Sequence, residues 1–133
     1  MDEVTIKDLP TKIQAIRDNK YTFQKRVYPW TVETFGYAKT MSLVERRQRV
    51  IEEAIELLQA MGGTEDEVVK MAAYVFARKT GEPRQEIGGL QVCIAAAANA
   101  LGIDMDQARE DEFVRCIDKV DIIRKKNLHK PTF

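Results

Sequence analysis

RVIEEAIELL, residues 49–58, places Glu52, Glu53 and Glu56 within five positions and threads them between Ile51, Ala54, Ile55 and Leu58. Apolar side chains at three- and four-residue intervals mark one face of an α-helix, and no alternating strand pattern competes with it. Working outward, the stripe extends to Leu43 and Val44 before and Met61 after. Ser42 with Glu45 three residues on reads as a capping box, and Gly62-Gly63 closes the segment 43–61.

The same punctuation recurs down the chain. Thr64 with Glu67 opens a helix to about Arg78, with Val68, Met71, Ala72 and Val75 expected inward. Gly81-Glu82-Pro83 breaks the chain and starts a third helix, which runs to Leu101 and stops at Gly102. Asp104 with Gln107 opens a fourth, expected to last to about Lys126 on a stripe of Met105, Ala108, Phe113, Cys116, Ile117, Val120 and Ile123. A short helix around 10–19, an aromatic segment YPWTVETFG (28–36) ended by Gly36, and a mobile tail NLHKPTF complete the reading. The expected fold is all-α, a four-to-five-helix bundle in one domain: an arm over 1–41, a core bundle over 42–126 and a tail over 127–133.

The 133 residues carry 21 basic and 21 acidic side chains. A formal charge of zero gives no overall field toward nucleic acid or an anionic membrane, so charged ligands must be met by local clustering. No apolar run is long enough to span a bilayer, and IGGLQVCIAAAANALGI (87–103) reads as a buried helix. Cys93 and Cys116 sit in helical patterns without a CxxC, as reduced core cysteines of a cytoplasmic protein would. The only histidine is His129, which excludes a His-based triad within one chain.

Glu52, Glu53 and Glu56 share a helix face that points away from the apolar stripe. A solvated acidic face accounts for that pattern. So does a cation site: Arg46 and Arg49 give only partial relief from like-charge repulsion, and a hard divalent ion is the natural counterion of paired carboxylates. Glu86 lies at the edge of the most apolar stripe, one turn before Leu90. It reads either as a first-turn dipole residue or as a further ligand. With no histidine available the donors are all oxygen, which points to Mg²⁺ or Mn²⁺ and to phosphate chemistry.

EEAIE (52–56), followed by EIGG (86–89) and NALGID (99–104), resembles the EExxE and ExxD motifs of the MazG-like, all-α nucleoside triphosphate pyrophosphohydrolases, in a subgroup common in phage genomes. The resemblance covers roughly 42–126. It departs at Gly89, where the family usually has Asp, and in the 29 residues separating Glu56 from Glu86. Water, Glu52 or Glu82 would stand in for the missing ligand.

The resemblance implies hydrolysis of a (deoxy)nucleoside triphosphate, such as dGTP, to the monophosphate and pyrophosphate, in the host cytoplasm for a phage-encoded chain. Glu53, Glu56 and Glu86, with Glu52 as a fourth, would hold Mg²⁺ or Mn²⁺, and Glu52 or Glu53 would accept the proton of the attacking water. Lys119 and Arg124, with Lys125 and Lys126, are the candidate phosphate-side cations, and a solvated helix end explains them equally. Trp30, Phe35 and Tyr37 would stack a base or pack the arm; Asn99 would read a base edge or tie two helices. The family also implies a homodimer or homotetramer, which the small-residue run AAAANA (95–100) would accommodate. The rival readings are a helical interaction module without chemistry and the same fold acting on another nucleotide, such as phosphoribosyl-ATP.

Overall fold

The computed structural model describes residues 21–133. They are 79% helical, with no strand among them. The helix expected at 10–19 lies outside the described residues. Seven helices follow in order: α1 Phe23–Phe35, α2 Tyr37–Thr40, α3 Leu43–Ala60, α4 Glu65–Phe76, α5 Pro83–Leu101, α6 Met105–Asp118 and α7 Val120–Leu128. No single helix among them is long and apolar enough to cross a membrane.

The caps read from sequence set most of these boundaries. Ser42 Oγ accepts from the amide of Glu45 at 3.2 Å, Thr64 Oγ1 from Glu67 at 3.3 Å and Asp104 Oδ1 from Gln107 at 2.9 Å. Glu82 caps α5, accepting from the amides of Arg84 and Gln85 at 3.1 Å each. Gly62 ends α3 and Gly102 ends α5 at φ +87° and +70°, where a side chain would be strained. Gly63 answers to packing instead, since a Cβ there would stand 2.1 Å from Cδ2 of Leu58.

Two expectations at the chain's ends are corrected. The aromatic segment is the second half of α1, a helix with Pro29 fully buried inside it. The tail is fastened: Arg49 donates to the carbonyl of Pro131 at 2.9 Å, and Gln48 to that of Phe133 at 3.4 Å. The expected fourth helix is also broken at Lys119, although i→i−4 bonds from Lys119 to Arg115 and from Ile123 to Lys119, both 3.0 Å, run through the break.

The chain divides into two compact units. In the first, residues 21–50 with 112–133, α1 packs on α2 and α7. Phe113 is buried, its ring edge-on to Phe23 at 5.5 Å and to Trp30 at 5.8 Å between centroids. The Arg26 guanidinium lies over both Phe23 and Phe113. The other buried side chains of this unit are largely polar: Arg26, Thr31, Thr34, Thr40, Glu45 and Asn127. Each has a local reason. Thr31 and Thr40 return their hydroxyls to the carbonyls of Val27 and Gly36, at 2.9 and 2.8 Å. Arg124 covers the carbonyls of Glu33 and Thr34 at the end of α1, at 3.1 and 3.0 Å.

The second unit, Ile51–Asp111, is the reverse case. Ala98 is its only buried residue. Ile51, Ile55, Val75, Leu90 and Leu101 remain exposed, as does Leu43 in the first unit at 79%. These positions were expected inward; the apolar faces exist at the predicted register, but nothing within one chain covers them. Cys93 is likewise exposed and Cys116 half-buried, both as free thiols.

Candidate functional site

Glu52, Glu53 and Glu56 lie on the second half of α3, and Glu86 on the first turn of α5, all within Ile51–Asp111. At 100° per residue, the trio continues the face that carries Glu45 and Arg49 one to two turns earlier. That face is buried at Glu45. Its carboxylate accepts from Nδ2 of Asn127 at 2.9 Å and lies 3.8 Å from Nε of Arg49, and Lys39 donates to the same asparagine. Burial alone pushes the Glu45 carboxyl up, but the Asn127 hydrogen bond and the charges of Arg49, Lys39 and Arg46 together hold it below the ordinary glutamate range. Thus Glu45 completes only one side of the expected capping box, because its side chain is drawn into the unit's interior instead of back to the Ser42 amide.

The two arginines expected to relieve the trio are both drawn toward Glu45, Arg46 at 3.9 Å and Arg49 at 3.8 Å. Farther along, Glu53 and Glu56 are exposed and Glu52 half-buried. Glu86 is exposed, with its carboxylate folded back over Gly81, where a Cβ would meet Oε1 at 2.3 Å. On α5, Glu86 shares its face with Leu90, Cys93 and Ala97, so it is a carboxylate on an uncovered apolar surface. A Cβ at Gly89 meets nothing within 4 Å, so the position that lacks the family's Asp has room for one. Glu82, a possible substitute ligand, has both oxygens engaged as the α5 cap.

Among the described residues, no group of three or more His, Cys, Asp or Glu side chains is gathered as a metal ion would require. The donor chemistry of the four glutamates suits a hard divalent cation; their convergence within one chain is not present among the described residues.

The candidate substrate-side residues are scattered. Trp30 stands edge-on to Phe35 and Phe113, both at 5.8 Å, as part of the first unit's interior. Arg124 is committed to the α1 carbonyls and lies 3.6 Å from Asp121. Lys119 stands exposed at the break between α6 and α7. Asn99 is exposed, about 140° around α5 from Glu86 at 100° per residue.

One feature was invisible to the whole-chain charge. Ile51–Asp111 carries 12 acidic and 5 basic side chains, a net −7, while the rest of the chain carries 9 acidic and 16 basic, a net +7. The neutral total conceals two oppositely charged halves. Counting charge over 51–111 alone would have found it.

Comparison with family models, with curated proteins and with solved structures returns no match for this chain.

Proposed function

We propose that the chain is a divalent-metal-dependent pyrophosphohydrolase of nucleoside triphosphates, acting on a purine deoxynucleotide such as dGTP and working as a homodimer or homotetramer. The observation that carries this reading is the placement of Glu52, Glu53, Glu56 and Glu86 in one unit whose net charge is −7 and whose apolar faces are uncovered. A second copy would both cover those faces and bring a second set of carboxylates.

In this reading Glu53, Glu56, Glu86 and Glu52 hold Mg²⁺ or Mn²⁺. The bound ion supplies charge neutralisation of the triphosphate and acidifies a water molecule. Glu52 or Glu53 takes the proton as that water attacks the α-phosphorus, and pyrophosphate departs. Of the cations, Lys119 is the one with an exposed side chain and no carbonyl or carboxylate engaging it among the described contacts, and it faces the departing charge. Pyrophosphate release across the eight common triphosphates with Mn²⁺ tests the reading. The wild type should release it from at least one, and Glu53→Gln and Glu86→Gln should each lower kcat by about 100-fold or more. Full activity in both variants would remove the site assignment.

A second reading, an interaction module without chemistry, draws support from Gly89 and the uncovered faces. It predicts no turnover of any triphosphate.

A further inference from the structure

Within Ile51–Asp111, the apolar faces of α3 and α5 have no partner. On α3, Ile51 is 54% and Met61 49% exposed; on α5, Ile87 is 63% and Leu101 46% exposed. With Ile55, Leu57, Leu90 and Ile94, and taking roughly 190 Å² for a fully exposed aliphatic residue, these side chains leave about 700 Å² uncovered, close to what each partner contributes to a standard interface. A unit with a single buried residue has no core of its own to set against chain entropy.

Two ways of pairing copies are possible. Docking the acidic unit of one copy on the basic remainder of another would be favoured by charge, but it sets apolar faces against a charged surface and repeats head-to-tail without closing. Setting like unit against like joins apolar face to apolar face and closes on a two-fold, at the cost of bringing −7 against −7 and covering Glu86. That carboxylate would then need a counterion, since burying an unpaired charge is strongly unfavourable.

We infer that a second copy of the chain docks through the apolar faces of α3 and α5, acidic unit to acidic unit, and that this docking is strengthened by divalent cations. The pairing surface stands on exposure alone; the cation dependence rests on the reading of the glutamates as ligands given above.

Sedimentation of the full chain at tens of micromolar tests this in EDTA, Mg²⁺ and Mn²⁺ at matched ionic strength, and across a KCl series, beside alkylation of Cys93. Like-charge pairing is expected to tighten as KCl rises, and by a further factor of about ten or more with divalent ions over EDTA. Alkylation of Cys93, which sits on the same face of α5, should slow as the copies pair. Ile87→Glu, exposed in the single chain, should sediment as one copy with Cys93 fully reactive. A wild type that remains single throughout overturns the surface, and weakening by KCl overturns the like-unit pairing in favour of acidic-to-basic docking. Equal association in EDTA and Mn²⁺ overturns the cation coupling. Cation-tightened pairing without turnover of any triphosphate would sink the hydrolase reading and leave this one standing.

Discussion

Residues 21–50 with 112–133 bury a phenylalanine among aromatic rings and satisfy an interior set of polar groups, whereas Ile51–Asp111 buries one alanine and turns its aliphatic residues outward. Both are helical, both are well capped, and they carry opposite net charges. The difference teaches that amphipathic register and core formation are separate events. A helix can be set by its own caps and periodicity while the surface that would reward burial belongs to another molecule.

The largest contrast should come from aromatic truncation. Phe113→Ala removes the ring that Phe23 and Trp30 pack against and should cost about 4 kcal/mol in chemical denaturation. Phe76→Ala, in the second unit and 88% exposed, should change stability by about 0.5 kcal/mol or less. Similar losses in both would erase the distinction between the units.

Next in size is the buried glutamate. Glu45→Ala strands Asn127 and the neighbouring cations and should cost about 3 kcal/mol. Because the Glu45 carboxyl titrates below its unfolded value, its contribution is complete above the ordinary glutamate range. It is lost as pH falls through the lowered folded-state value, when the unfolded chain binds the proton more readily. A pH series of melting temperatures should show that acid loss in the wild type and a flatter profile in Glu45→Gln.

A smaller effect sharpens the other side of the comparison. Thr64→Ala removes the α4 cap and should cost about 1 kcal/mol, seen as faster amide exchange in the first turn of α4. Gly89→Asp probes the missing ligand. The position has room for the side chain, and calorimetric titration should show tighter Mn²⁺ binding than in the wild type. Unchanged affinity would mean that position 89 does not face the cation.

Much of the helical plan was legible in the residues themselves. Ser42, Thr64, Asp104, Pro83, Gly62 and Gly102 mark starts and stops because each solves a backbone problem locally, and such solutions travel with the sequence. The inward positions were not legible in the same way. Periodicity places Ile51, Ile55 and Leu90 on one face of their helices, but it cannot say whether that face meets the same chain or another. The burial of Glu45 was missed because it depends on Asn127, which lies 82 positions away and was expected in a loose tail. The acidic trio was readable as a face, whereas its relation to Glu86 is tertiary information that a motif spacing does not contain.

Amide hydrogen exchange followed against protein concentration, from nanomolar to tens of micromolar with Mn²⁺, tests most directly whether the second unit is completed by another copy. Protection of α1 and α7 should be the same at every concentration, while that of α4, α5 and the second half of α3 should rise with it. Protection of α5 that is already full at nanomolar protein would contradict the account.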